Sequence, residues 1–173
     1  AKIEFGPDYS KVASRLLLDT LYQEAMNIST ADPHLETVHR QYFKKYLKHG
    51  ISIHRLHPEL LTFDLDQLAR AMELQRDDQF TYLGLQTLYD RYFIHEEQRR
   101  LETPQIFWMR VAMGLASGEQ ENKNKRAIEF YEMGECIQSG KTPEVDGLVG
   151  RRAVALCYAG FESSVLNRPV ALD

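Results

Sequence analysis

FTYLGLQTLYDRYFIHEEQRRLETPQIFWMRVAMGLA, residues 80–116, is the stretch that decides the fold, because it combines many aromatic side chains with a sharp helix start. Thr103-Pro104 predicts an N-cap followed by proline at the first helical position, where the missing N–H costs nothing. The predicted helix ends before Ser117-Gly118, and Arg110 is its only charge. We therefore expect it to lie in a core, since a helix that is apolar on every side is usually buried.

The part of this stretch before Thr103 predicts a helix and a hairpin. Residues 80–92 have the spacing of an amphipathic helix, and residues 92–102 favour a short β-hairpin around Glu96-Glu97-Gln98. Because an isolated two-stranded ribbon is marginal in water, the hairpin should rest on the helices. The expected apolar contacts of the helix are Leu83, Leu85, Leu88, Tyr89 and Tyr92.

The rest of the chain also has helical spacing. The first helix, residues 9–26, is expected to bury Val12, Leu16, Leu17, Leu21 and Ala25. The second should start at Asp32-Pro33 and stop at Gly50 as its C′ residue. Further predicted helices cover residues 65–74 (capped by Asp64 or Asp66), about 119–139, and 147–166 after Asp146, with one helical turn at Pro58. The predicted fold class is all-α, a bundle of about six helices with one short hairpin near residues 92–102.

Several separated blocks of the sequence resemble one protein family. They are PDYSKVASRLLLDTLYQEA (7–25), RLHPELLTFDLDQLARAM (55–72), the central stretch from residue 80, and RAIEFYE (126–132). In this order they resemble the helical region after the nucleotide-binding cone in the large (alpha) subunit of class I ribonucleotide reductase. The resemblance covers about residues 1–132 and implies a helical domain packed against a catalytic barrel, with a small (beta) subunit as partner.

A second resemblance begins inside the last of these blocks. From Glu129, EFYEMGECIQSGKTPEVDGLVGRRAVALCYAGFESSVLNRPVAL resembles the C-terminal end of Gfo/Idh/MocA-type oxidoreductases over about residues 129–172. Two unrelated resemblances that meet in one helix suggest a chimeric or designed chain; chance similarity in a helical hairpin is the alternative. The expected organisation is a helical region at 1–132 and a divergent hairpin at 133–173, packed together as one compact domain.

Composition excludes some classes of function. The 173 residues carry a formal net charge of −4, which gives no concentrated basic surface for nucleic acid. The short basic clusters at residues 44–48 and 123–126 are expected to be solvated helix faces. With two cysteines and neither a signal peptide nor a run of transmembrane length, we expect a cytoplasmic protein with free thiols. Because residue 1 is alanine, we interpret the chain as a piece of a longer protein or a processed product.

We predict no catalytic, cofactor-binding or metal-binding residues. Ribonucleotide reduction, as the first resemblance implies it, needs a radical-forming cysteine, a redox pair and a carboxylate. Cys136 and Cys157 match none of these family motifs, and Gln23 stands where the cone's last helix is expected to carry a basic residue. Gly147 and Gly150 lack both the glycine spacing and the preceding strand of a dinucleotide site. The group His49, His54, His57 and Glu59 lacks the residues to complete a metal site.

Two arginines are expected to need carboxylate partners. Arg110 and Arg91 are each set among apolar neighbours, and a buried guanidinium requires a charge-assisted hydrogen bond. The candidate partners are Asp77, Asp78, Asp90 and Glu102. Glu96-Glu97 is interpreted as a solvated hairpin tip, and Trp108, Met109 and Met113 as core.

The leading functional hypothesis is a helical scaffold of a ribonucleoside-diphosphate reductase large subunit that lacks the barrel and is inactive alone. The alternative is a designed helical structural or interaction module without chemistry. Residual oxidoreductase activity, the third hypothesis, would require nucleotide binding. A scaffold separated from its barrel should expose apolar surface and could self-associate through it.

Overall fold

The structure, a computed structural model, describes residues 7–118 and 122–139. This part of the chain is mostly helical, so the all-α prediction is confirmed. Its α-helices are α1 (Pro7–Met26), α2 (Leu35–Ser52), α3 (Leu65–Ala71), α4 (Tyr82–Arg91), α5 (Pro104–Ala116) and α6 (Lys123–Ser139); 3₁₀ helices cover Pro58–Thr62 and Leu74–Gln79. The predicted helix at 147–166 lies outside the described residues, as do Asp146, Gly147, Gly150 and Cys157.

The predicted hairpin is present between α4 and α5. Strands β1 (His95–Glu96) and β2 (Arg99–Arg100) pair antiparallel, with Glu96 opposite Arg99. Glu97 begins the two-residue turn with φ of 54°, a left-handed conformation that most residues adopt only at a cost.

The two arginines of β2 attach the hairpin to the ends of two helices. Arg99 donates hydrogen bonds to the carbonyl oxygens of Glu24 (2.5 Å) and Ala25 (2.9 Å) in the last turn of α1. Arg100 donates to the carbonyl of Tyr89 in α4 (3.1 Å) and lies over the Tyr89 ring, 4.1 Å from its centroid. Unpaired carbonyls give a helix C-terminus partial negative charge, so both cations are favourably placed. The helices thus supply the support that a two-stranded ribbon needs.

The buried apolar side chains form two clusters. The larger one joins α2, α3, α5 and α6, with Phe43, Leu68 and Met109 at its centre. The smaller one joins α1, α4, α5 and the residues before β1, and Trp108 of α5 contacts both clusters. Helix α5 therefore lies between them, and its predicted core position is confirmed.

The predicted C-terminal end of α2 was wrong. The helix continues past Gly50 to Ser52, and His54 takes the left-handed conformation instead, with φ of 57°. Gly50 is buried inside the helix, where an added Cβ would lie 2.5 Å from a methyl carbon of Leu56. Glycine is needed here for close packing rather than for backbone conformation. The start of α2 also lies two residues after Pro33, while Asp32 accepts a hydrogen bond from the His34 backbone (2.7 Å).

Two of the predicted core positions on α1 are exposed, as are two in the predicted helix at residues 80–92. Val12 and Leu16 are 60% and 66% exposed, and Leu83 and Tyr92 are 76% and 56% exposed. Helix α1 has a second apolar stripe, containing Leu18, Leu21 and Tyr22, and this one lies in the core. Spacing alone detected apolar stripes but did not decide which one is buried.

The chain divides into two compact units, residues 1–135 and residues 136–173. All side-chain contacts described below lie in the first unit.

Candidate functional site

The most polar part of the described interior is the segment Leu101 to Gln105, which joins the hairpin to α5 and includes the first two residues of that helix. All five residues are buried, which is unusual for a connection that contains a glutamate, a threonine and a glutamine. Buried polar groups require hydrogen-bond partners, so this segment is the candidate functional site.

Glu102 is the centre of a buried charged cluster. Its side chain is fully buried, and its two oxygens accept hydrogen bonds from Arg110 Nε (2.5 Å) and Nη2 (3.2 Å). Glu102 also accepts a hydrogen bond from the Tyr46 hydroxyl and one from the Ile94 backbone N–H (2.7 Å). The guanidinium of Arg110 and the carboxylate of Glu102 therefore form a two-contact pair between residues eight positions apart, and the Tyr46 phenol and the Ile94 backbone complete the cluster.

The environment of this cluster shifts the ionisation of its members. Burial, followed by the charge of Glu102, raises the pKa of the Tyr46 phenol well above its ordinary value, so Tyr46 remains a hydrogen-bond donor. Burial by itself would lower the pKa of Arg110, but hydrogen bonding to Glu102 and its charge outweigh burial and raise it. Arg110 therefore stays cationic and Tyr46 neutral.

A second buried network surrounds Asp77, which is 2% exposed. Its carboxylate accepts hydrogen bonds from the Tyr22 hydroxyl (2.7 Å) and from Gln105 Nε2 (2.6 Å). The Tyr131 hydroxyl in turn donates to the Gln105 side-chain oxygen. Burial and the charge of Asp77 raise the pKa of Tyr22 well above its ordinary value. This network links α1, the second 3₁₀ helix, α5 and α6.

A buried histidine meets the segment at Thr103. His39 Nε2 lies 2.8 Å from the Thr103 hydroxyl, and its ring stacks on Tyr22 with centroids 6.0 Å apart. Burial, with a smaller effect of the Arg40 charge, lowers the pKa of His39 to about 3, so the ring is neutral at neutral pH. Thr103 occupies the predicted N-cap position, but its hydroxyl bonds to His39 instead of capping the helix.

The candidate arginines have different positions. Arg110 pairs with Glu102, one of the partners that the sequence predicted, whereas Arg91 is exposed, so its predicted apolar surroundings were wrong. Of the other candidates, Asp78 pairs with Arg15 at 3.2 Å on the surface, and Asp90 accepts a hydrogen bond from Gln86 (2.9 Å).

The structure separates the histidines that we considered as metal ligands. His49 Nε2 lies 2.9 Å from Glu96 in the hairpin, and His57 Nδ1 lies 3.7 Å from Glu59. Within residues 7–118 and 122–139, no group of three or more histidine, cysteine, aspartate or glutamate side chains could hold a metal ion. Cys136 lies on α6.

A small cavity of about 50 Å³ opens between α1 and the second 3₁₀ helix. Charged groups of both signs line it, including Lys11, Arg15 and Asp78. Ligand pockets usually measure about 300–1,000 Å³, so this cavity suits water molecules rather than a nucleotide. No helix in the described part of the chain is long and apolar enough to cross a membrane.

Sequence reasoning missed the residues that complete these networks, namely Tyr22, Tyr46, His39 and Gln105. Tyrosine at a core position was the available signal, since a buried phenol usually finds a partner. Tyr46 is 1% exposed in the core, and its hydroxyl donates to Glu102 from that position.

Comparison with known proteins first defines the class. Residues 78–134 match the family described as "Ribonucleotide reductase, all-alpha domain"; this range contains α4, the hairpin, α5 and residues 123–134 of α6. The predicted correspondence of the chain to a helical region of the ribonucleotide reductase large subunit is thereby confirmed.

The relatives that this chain resembles are alpha subunits of ribonucleoside-diphosphate reductase. The chain is 59% identical over 134 residues to the ribonucleoside-diphosphate reductase subunit alpha of Chlamydia muridarum, which is 77% of this chain and 13% of that protein. It is 51% identical over 133 residues to the subunit of the same name in Chlamydia pneumoniae, again 77% of the chain and 13% of the relative. In Helicobacter pylori strain 26695 the identity is 40% over 128 residues, 73% of the chain and 15% of the relative. The chain thus spans about 13–15% of the length of these relatives.

Proposed function

We propose that the helical region is a scaffold within a ribonucleoside-diphosphate reductase large subunit and performs no chemistry by itself. In the parent subunit it would support the catalytic barrel and connect it to the allosteric cone. The activity, the small subunit as partner and a cytoplasmic location all belong to this proposal about the whole protein. The match to subunit alpha over 77% of the chain supports it.

One observation carries the proposal. The two buried carboxylates are bonded to protein groups: Glu102 to Arg110 and Tyr46, and Asp77 to Tyr22 and Gln105. Buried charges that are paired in this way stabilise a unique arrangement of helices rather than a bound substrate.

Replacement of the matched region in a related enzyme tests the scaffold role. The 134 matched residues of this chain would replace the corresponding residues of the C. muridarum subunit alpha, where the identity is 59%. We expect the hybrid to fold and to retain reductase activity with its small subunit. A hybrid that folds, as judged by a cooperative thermal transition, but has no activity would contradict a passive scaffold.

Calorimetry on the 173-residue chain tests the third hypothesis. NADPH, ATP, dATP and a ribonucleoside diphosphate would each be titrated into the protein at high micromolar concentration. We expect no saturable heat, because the sequence lacks the glycine-rich turn after a strand that holds a dinucleotide pyrophosphate, and the cavity beside α1 measures only about 50 Å³. A saturable signal with any of the four would contradict a scaffold without a binding site.

We also propose that a junction lies near residues 129–132 and that residues 133–173 form a divergent helical hairpin, as the Gfo/Idh/MocA resemblance predicts. The end of the family match at residue 134 and the end of the first compact unit at Glu135 support it. An experimental structure of the full chain tests it. A helix at 147–166 followed by a terminal strand is expected, and the first strands of a barrel in this region would contradict the junction.

A designed interaction module is the competing function, and the exposed apolar side chains favour an interaction of some kind. The same hybrid distinguishes the two, because an unrelated module has no reason to replace a segment of the reductase subunit.

A further inference from the structure

Helices α1 and α4 lie side by side and form a pair. The Ser14 hydroxyl of α1 donates to the Phe80 carbonyl just before α4 (2.7 Å), and the Tyr89 hydroxyl of α4 donates to Glu24 near the end of α1 (3.2 Å). The smaller hydrophobic cluster contains buried side chains of both helices and of α5. We call these two helices the α1–α4 pair.

Tyr22 attaches this pair to the polar interior. It is 1% exposed, its hydroxyl donates to Asp77 (2.7 Å), and its ring stacks on His39 of α2 with the ring planes 27° apart. On another side of the histidine, Nε2 lies 2.8 Å from the Thr103 hydroxyl at the start of α5. His39 is therefore enclosed between α1 and α5, and it reaches water when α1 moves away.

The groups around His39 do not balance a positive charge on its ring. Its hydrogen-bond partner Thr103 and its stacking partner Tyr22 are both neutral, while Asp77, on the second 3₁₀ helix, bonds to the Tyr22 hydroxyl. Burial, with a smaller effect of the Arg40 charge on the same helix, holds the pKa of His39 at about 3. A proton therefore binds readily only after the ring has reached water.

We propose that the α1–α4 pair separates from α2 and α5 as one unit in mild acid, before the rest of the described region unfolds, and that His39 takes up a proton in the separated state. The proposal does not depend on the scaffold role. Phe43, Leu68 and Met109 lie in the larger cluster, so α2, α3, α5 and α6 keep an apolar core when the pair moves away. Cooperative units of this kind open at a lower free energy than the whole protein.

The size of the effect follows from the ionisation of His39. Contact with water returns its pKa towards 6.5, so the separated state binds a proton below that pH, whereas the closed state does so only near pH 3. Lowering the pH therefore favours separation. Complete return of the pKa to 6.5 raises the equilibrium constant for separation about 25-fold between pH 7 and pH 5.

Amide hydrogen exchange of the 173-residue chain at pH 7 and pH 5 tests the proposal, after correction for the chemical exchange rate at each pH. The slowest amides of α1 and α4 are expected to share one opening free energy, which lies below that of α2 and α5. The opening constant of the pair should rise at least about tenfold between pH 7 and pH 5. One opening free energy shared by all four helices would overturn the proposal, as would an opening constant that does not rise.

His39→Gln identifies the proton acceptor, because it leaves Tyr22, Asp77 and Arg40 in place. The opening constant of the pair should then differ by less than about twofold between the two pH values. His57→Gln, at a side chain that is 78% exposed, is the matched control and should keep the tenfold rise. A rise that persists in His39→Gln would assign the proton to another group and overturn the proposal.

Tyr22→Phe gives a second measurement that leaves the histidine unchanged. It removes the hydrogen bond to Asp77 but keeps a ring against His39, so the opening constant of the pair should rise about fivefold at both pH values. The ratio between pH 7 and pH 5 should stay as in the unsubstituted chain. An opening constant that is unchanged at both pH values would show that Tyr22 does not hold the pair closed and would overturn the proposal.

Discussion

Glu102 is the residue on which the buried polar core depends most. It is fully buried and bonds to a guanidinium, a phenol and a backbone N–H. Removing one member of a buried ion pair leaves the other charge uncompensated, which commonly costs about 3–5 kcal/mol.

Glu102→Gln is therefore expected to lower the free energy of unfolding by about 3 kcal/mol, measured by urea denaturation at pH 7. Glu97→Gln, on the exposed hairpin turn, is the control and should change it by less than about 0.5 kcal/mol. Equal effects of the two substitutions would show that the Glu102–Arg110 pair contributes no more than a surface charge.

His39 predicts a pH dependence of stability. Its pKa is about 3 in the folded protein and 6.5 ordinarily, so below pH 6.5 the unfolded chain takes up a proton that the folded chain does not. The contribution of His39 is fully present above pH 6.5 and is lost as the pH falls towards 3. The free energy of unfolding should therefore drop by about 1.6 kcal/mol between pH 6.5 and 5, and the slope should approach about 1.4 kcal/mol per pH unit at the lower end of this range.

Urea denaturation at half-unit pH steps checks this dependence. His39→Gln should remove most of the slope, whereas His57→Gln, with a side chain 78% exposed, should keep it. An unchanged slope in His39→Gln would assign the dependence to other groups.

The sequence predicted the elements well and the polar core only in part. The cap residues, the prolines and the spacing of apolar residues predicted where the helices lie, because these signals are local. The buried networks depend on residues far apart in sequence: 64 positions separate His39 from Thr103, and 56 separate Tyr46 from Glu102. Arg110 and Glu102 are only eight positions apart, so their pairing could be predicted from the sequence, and Glu102 was one of the candidate partners of Arg110.

At the scale of the element, substitutions at His54 and Gly50, near the end of α2, are expected to change the free energy of unfolding in opposite directions. His54 is left-handed, a conformation that costs a residue with a side chain roughly 1 kcal/mol relative to glycine. His54→Gly should raise the free energy of unfolding by about 0.5–1 kcal/mol. Gly50→Ala should lower it by about 1–3 kcal/mol, because the new methyl group would overlap Leu56.

Thermal unfolding of both variants checks the assignment. Two changes of the same sign would mean that the helix ends at Gly50, as the sequence alone suggested.

The hairpin gives a second prediction for an element. Arg99→Ala removes two hydrogen bonds to the last turn of α1 and should cost about 1–2 kcal/mol. Amide hydrogen exchange should also accelerate at residues 95–100. Arg91→Ala removes the same charge from an exposed position and serves as the control. Indistinguishable variants would show that Arg99 does not hold the hairpin.

At the scale of the whole molecule, the first compact unit should fold without the second. Residues 1–135 form a unit of their own, which contains both hydrophobic clusters and all three buried networks. A chain that ends at Ser139 is expected to keep the thermal midpoint of the full chain within about 3 °C, since none of these contacts is removed. Loss of the cooperative transition would show that residues 140–173 complete the core.

The buried ion pair between Glu102 and Arg110 has an evolutionary consequence. A lineage that loses only the glutamate inherits an unpaired buried cation, whereas one that exchanges glutamate and arginine together for apolar side chains escapes that penalty. Divergence at these two positions should accordingly be concerted, so that intermediates with half of the pair are rare even among distant reductases.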